Sequence, residues 1–116
     1  MVEMHVEYLG ELRCHAKHGP SGVEIHTDAP VDNHGRGESF SPTDMVATAL
    51  AACELTIMGI KARANEWPLE GTKVRVEKHM SADAPRRIAR LVLDFTLPAA
   101  LDDEQLKVLE RAAMAC

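Results

Sequence analysis

A chain of 116 residues with 46% hydrophobic residues is long enough to form one packed domain and too short for two. Only 3% of the residues are aromatic, so the core must be built from Ala, Val, Leu, Ile and Met. A net charge of −5 excludes the basic stripe of a nucleic-acid reader; Arg86-Arg87 is too short to form one and reads as a solvated turn.

Met1 to Tyr8 and Leu12 to Lys17 alternate as strands do, with Leu9-Gly10-Glu11 as the turn between them. Glu3, His5 and Glu7 interrupt the first segment, as no signal-peptide core allows. His18-Gly19-Pro20-Ser21-Gly22 predicts a turn, and Val23 to Asp28 a third strand. Asp32 to Ser39 is polar and glycine-containing, hence a loop.

Ser41-Pro42-Thr43-Asp44 opens a helix: Ser41 caps, Pro42 suits the first turn, and Asp44 completes a capping box. The helix runs to Ala64, is apolar almost all round, and is therefore expected to be buried. Thr72 to Met80 and Ile88 to Leu97 alternate again and predict a hairpin. Asp102-Asp103-Glu104-Gln105 opens a last helix, with its acidic residues where the helix dipole favours them. Leu106, Leu109, Ala113 and Cys116 fall on one of its faces.

Three strands, a helix, two strands and a helix make an α+β fold. Five short strands and one further helix cannot cover a long apolar helix on every side. A second copy of the chain is the natural cover, which predicts a homodimer with the Ser41 to Ala64 helix at its centre. No apolar run reaches the about 18 residues that span a bilayer. The expectation is a soluble, cytoplasmic protein with no membrane and no nucleic-acid partner.

Three cysteines, Cys14, Cys53 and Cys116, are too few and too widely spaced for a disulfide scaffold in a reducing compartment. Cys53 and Cys116, each taken alone, read first as small apolar core residues. Together they project into one core from the two helices it packs, as an attacking and a resolving thiol require. A reactive Cys53 lies too far from the helix N-terminus to be activated by it and needs a nearby cation. Cys14, His15 and His18, with His5 nearby, suit no zinc pattern, and no metal site is expected. The histidines read as scattered surface residues.

The run Ser39-Phe-Ser-Pro-Thr-Asp-Met-Val-Ala-Thr-Ala-Leu-Ala-Ala-Cys53-Glu-Leu-Thr-Ile-Met-Gly-Ile60 resembles the core helix of the OsmC/Ohr family. Ala29 to Gly35 resembles an OsmC-like subgroup, and Ala112-Ala113-Met114-Ala115-Cys116 the family's second-cysteine helix. The resemblance covers nearly the whole chain, read as a single OsmC-like domain over residues 1–116 that ends early relative to the family. It implies an intertwined homodimer, antiparallel sheets wrapped around central helices, with active sites at the subunit interface. It also implies thiol-dependent reduction of organic hydroperoxides. Cys53 would attack the peroxide and Cys116 would resolve the sulfenic acid. An external dithiol would act as reductant, with no bound cofactor.

The resemblance further implies an arginine at the thiolate. Arg13 is its candidate and Arg36 the competitor; otherwise Arg13 is a solvated strand residue. Ohr-type members carry a glutamate where this chain has Thr43. Asp44, beside it, either substitutes or only closes the capping box. Glu54 is read chiefly as structural, with a supporting role at the site as the alternative. The rival to the enzyme is a non-catalytic OsmC-like module that binds an apolar ligand or partner in the same cleft.

Overall fold

The computed structural model describes residues 1–116. The chain divides into two compact units, Met1–Met45 and Val46–Cys116.

The first unit is an antiparallel sheet in the order β1-β2-β3, with β1 at Met4–Gly10, β2 at Arg13–His18 and β3 at Glu24–Asp28. The β1–β2 turn is not the expected Leu9-Gly10-Glu11. Strand β1 continues through Gly10, and the turn is made by Glu11 and Leu12, both at positive φ (53° and 61°). Two left-handed residues make the tight turn whose twist matches the flanking strands, usually built from Asn-Gly. Here the Leu12 N–H donates to Tyr8 Oη at 3.3 Å. A 3₁₀ turn at Val31–Asn33 interrupts the following loop. The loop folds back on the sheet: Asp28 N–H donates to the Phe40 carbonyl (3.1 Å) and Gly37 N–H to that of Ala29 (3.1 Å). Gly35 packs so closely on Ala29 that a Cβ would collide with its carbonyl.

Helix α1 spans Pro42–Ala64. Its start follows the sequence signature. Ser41 N–H donates to Asp44 Oδ2 (2.9 Å) and Asp44 N–H to Ser41 Oγ (3.1 Å), satisfying backbone donors that the helix leaves free.

In the second unit, β4 (Lys73–Met80) and β5 (Ile88–Thr96) pair antiparallel, with Val74 opposite Phe95 and Val76 opposite Leu93. Helix α2, Asp103–Met114, is capped reciprocally: Gln105 N–H donates to Asp102 Oδ1 (2.8 Å) and Asp102 N–H to Gln105 Oε1 (2.9 Å). The core joins Met58 and Ala62 of α1 to Leu101, Leu109 and Ala113, with Trp67, Phe95 and Leu106 packed against them. Leu109 has no exposed surface.

The expectation that α1 is buried all round needs correction. Within one chain only Ala47, Ala51, Met58 and Ala62 of this helix are buried. Val46, Ala49, Cys53, Thr56 and Ile60 are exposed, Val46 by 54% and Ile60 by 63%. Their spacings of three and four residues form one continuous stripe, roughly opposite the buried one. Thr56 fits this apolar stripe because its hydroxyl donates to the Ala52 carbonyl at 2.7 Å. By length and composition α1 is also apolar enough to cross a bilayer, a test that the core helix of a soluble protein passes too. Single threonines and Glu54 interrupt this segment, so it holds no unbroken apolar run although its average is strongly apolar.

Candidate active site

The two sulfurs expected to meet are bonded: Cys53 and Cys116 form a disulfide, with Cα atoms 6.2 Å apart and a sequence separation of 63. The bond ties the middle of α1 to the chain just beyond α2. Cys116 is not on the last helix, as its spacing from Ala113 predicted. It lies past Met114, in a turn whose backbone N–H donates to the Ala113 carbonyl at 3.1 Å. Nor are the sulfur-bearing residues core filling, since both cysteines are exposed within the single chain. Cys14 is a free thiol, half-buried on β2 opposite Tyr8 and Thr27.

Helices α1 and α2 and strand β5 line a cavity of about 570 Å³. Its walls are mostly aliphatic, Leu50 and Met58 from α1, Leu93 from β5 and Leu106 from α2, and Glu54 and Glu110 are the only charged residues among them. Glu54 is half-buried. It lies on the wall of that cavity, one residue from Cys53 in sequence.

Arg13 belongs to the first unit and is not a freely solvated strand residue. Strand register sets it opposite Asp28. Its Nη2 lies 3.6 Å from Asp28 Oδ2 and 3.0 Å from Glu38 Oε2. Asp28 is only 2% exposed. Its Oδ2 accepts the Glu38 N–H (3.0 Å), and its Oδ1 is buried without a partner, as is Arg13 Nε. Hydrogen bonding to Glu38, and then the charges of Glu38, Asp28 and Glu11, raise the arginine pKa against the opposing effect of desolvation. Its charge is therefore permanent. Arg36, the competing cation, pairs instead with Glu11 at 3.5 Å.

Asp28 and Glu38 were missed in the sequence. Asp28 reads there as the last residue of a strand and Glu38 as loop polarity; only the β2–β3 register reveals that they share one guanidinium. Asp44 closes the helix cap, and Thr43 Oγ1 lies 3.2 Å from Ser41 Oγ in the same turn. The histidines are less scattered than expected. His15 and His26 face one another across β2 and β3 with ring centroids 4.9 Å apart, and His15 Nε2 lies 3.5 Å from Glu24 Oε1. No group of three or more metal-ligating side chains forms.

Known structures share this architecture. Over the whole chain it is 49% identical to a protein of Psychrobacter arcticus 273-4 provisionally named as an osmotic stress induced and detoxification response protein, with a TM-score of 0.94 over 84% of that protein. The organic hydroperoxide resistance protein OsmC of Legionella pneumophila superposes at a TM-score of 0.76 and 16% identity, over 99% of this chain and 82% of that one. A Vibrio cholerae O1 protein provisionally named for organic hydroperoxide resistance, with captopril in one of its active sites, superposes at 0.75 and 19%, over 99% and 78%. These last two likenesses concern the fold alone. No curated protein sequence matches significantly. The model of the family described as "OsmC-like protein" matches residues 35–116, a span that takes in α1, both bonded cysteines and the β4–β5 hairpin. With two helices, two antiparallel sheets, that match and the Psychrobacter likeness, the chain belongs to the OsmC-like protein family.

Proposed function

We propose that the protein is a thiol-dependent peroxidase for organic hydroperoxides, cytoplasmic and homodimeric. The single observation that carries this reading is the bonding of Cys53 to Cys116, since a disulfide is the product that such a cycle leaves behind. Relatives of the same fold named for organic hydroperoxide resistance support it.

In the proposed cycle the Cys53 thiolate attacks the distal peroxide oxygen. The O–O bond breaks, the alcohol leaves with a proton, and sulfur is oxidised to sulfenic acid. Cys116 then attacks that sulfur and expels water, which gives the disulfide. An external dithiol returns both thiols by exchange, and the scheme uses no bound cofactor or metal. The family resemblance makes Arg13 the candidate cation for the thiolate, since an arginine keeps its charge even in a dry pocket. Asp28 and Glu38 hold that guanidinium, so the carboxylates that orient it come from β3 and the loop before α1.

The homodimer rests on the exposed apolar stripe of α1 and on Met4, Val6 and Tyr8, exposed along β1. Stripe residues recurring every three and four positions, with Ala49 and Cys53 small enough for close approach, suit a second copy of the same helix. A bilayer is the poorer cover, because Glu54 sits at mid-helix and would have to be desolvated in hydrocarbon.

Stopped-flow consumption of cumene hydroperoxide tests the assignment. Wild type should turn over, and Cys53→Ser should not; equal rates in the two would remove Cys53 from the mechanism. Cys116→Ser should complete one stoichiometric turnover and accumulate sulfenic acid. A second reading, a non-catalytic module binding an apolar ligand, is favoured by one observation: Arg13 is already occupied by two carboxylates. The pH dependence of Cys53 alkylation in the reduced protein separates the two. A midpoint near the ordinary thiol value of about 8.5 supports the module, and a markedly lower one the enzyme.

A further inference from the structure

We propose that His15 and His26 form a two-imidazole chelate for a divalent ion of the copper and zinc class, bridging β2 and β3 on the polar face of the first sheet. The site goes beyond the peroxidase reading and takes no part in that cycle. Register sets His15 directly opposite His26, with Glu7 opposite His15 on β1 and Glu24 two residues before His26 on the same face. Spacing along the chain does not show this. Cys14, His15 and His18 are close in sequence but do not share one face of β2, whereas the partner of His15 stands on the next strand.

The ring separation fits one shared ion. A metal about 2.0–2.1 Å from an imidazole nitrogen lies about 3.2 Å from that ring's centroid, so two imidazoles on one ion at about 90–110° have centroids about 4.5–5.2 Å apart. The centroids of His15 and His26 are 4.9 Å apart, with the rings at 47°. That tilt lies between the stacked and edge-on orders that ring attraction favours. Glu24 Oε1, 3.5 Å from His15 Nε2, brings negative charge to the pair. No third ligating side chain joins them, so water completes the coordination. Nitrogen donors favour Cu²⁺ over Zn²⁺, and both over Mg²⁺, which takes oxygen. His15 is half-buried and His26 exposed. Both lie on the face away from Met4, Val6 and Tyr8, so a second copy seated on those residues leaves the pair open.

The test titrates Cu²⁺, Zn²⁺ and Mg²⁺ separately into the full chain carrying Cys14→Ser, with Cys53 and Cys116 in their disulfide so that no free thiol competes. Calorimetry should find one Cu²⁺ per chain, weaker Zn²⁺ at the same stoichiometry, and no Mg²⁺. His15→Asn and His26→Asn should each weaken copper binding roughly ten-fold or more, and Glu24→Gln by a smaller factor. His18→Asn, on the opposite face, should leave it unchanged. The paramagnetic resonance of the bound copper should show two nitrogen donors, a readout that needs no histidine variant to fold. Absence of copper binding, fewer than two nitrogen donors, or an affinity that survives loss of both histidines would overturn the proposal. None of these results bears on the peroxidase reading, which consumption of cumene hydroperoxide decides by itself.

Discussion

Removing the Cys53–Cys116 bond should destabilise the protein by an amount that its place in the chain fixes. The bond closes a loop of 63 residues. Loop closure of that length removes about 14 cal/mol/K of entropy from the unfolded chain, or about 4 kcal/mol at 25 °C, as an upper value. Cys116 is exposed and lies beyond the last helical turn, so replacing it with serine sacrifices almost no packing, and the loss reports the crosslink alone. Unfolding entropy near 2.1 cal/mol/K per residue converts that loss into a Tm about 17 °C lower in Cys116→Ser than in the oxidised wild type. Urea titration at fixed protein concentration is the assay, because any dimer makes midpoints concentration-dependent. Wild type in excess dithiothreitol should unfold at the variant's midpoint, and the slope should steepen when the crosslink is lost, as a more extended unfolded state is exposed. Identical midpoints with and without reductant, alongside three titratable thiols in the unreduced protein, would refute the pairing.

Leu109→Ala should cost about 2–5 kcal/mol in urea unfolding, since the side chain is wholly enclosed between α1 and α2 and the site has no exposed face through which to collapse. Gly35→Ala should cost about 1–3 kcal/mol, because its Cβ has no room beside the Ala29 carbonyl and the loop must shift. The Arg13 pKa is raised, chiefly by its hydrogen bond to Glu38. Its ion-pair contribution is therefore fully present below the ordinary arginine range and lost only as pH climbs through the raised value. Stability of Arg13→Gln relative to wild type should thus show no arginine titration between pH 6 and 9; a step in that difference on the alkaline side would contradict it.

Much of this fold was legible because its local signals agree with one another. The alternation of Val74 and Val76 with Lys73 and Arg75 fixed the β4–β5 hairpin, and Ser41-Pro42-Thr43-Asp44 located the start of α1. Both are short-range signals, carried within one strand or one helical turn. The errors lie where geometry depends on partners. Glu11 and Leu12 make a turn without turn-forming residues, because pairing on both sides imposes it. The helical spacing that assigned Cys116 to a face of α2 ran two residues too far, since helix ends fray and sequence periodicity does not register where the hydrogen bonds stop. The tie of Arg13 to Asp28 and Glu38 joins residues 15 and 25 positions apart and has no local signature at all.

The pattern on α1 shows why an apolar helix is ambiguous in sequence and specific in three dimensions. The sequence shows apolar residues on every side, which says only that much must be covered. The structure divides those residues into two stripes of different character. One, with Ala47, Ala51, Met58 and Ala62, is buried within the chain and keeps to small residues apart from Met58. The other, centred on Cys53, is left exposed, although Val46 and Ile60 are costly residues to leave in water. A helix needing only a core has no reason to be apolar on that second face. The placement of the Cys53 sulfur at the middle of that stripe ties its surroundings to assembly: whatever covers the stripe also sets the dielectric around Cys53 and the access of solvent to it. Ile60→Lys should therefore act on both together. It should shift sedimentation toward a monomer and move the Cys53 alkylation midpoint, though residue 60 lies two helical turns from the sulfur. A monomer whose Cys53 midpoint matches wild type would show that the second copy plays no part in activating the thiol.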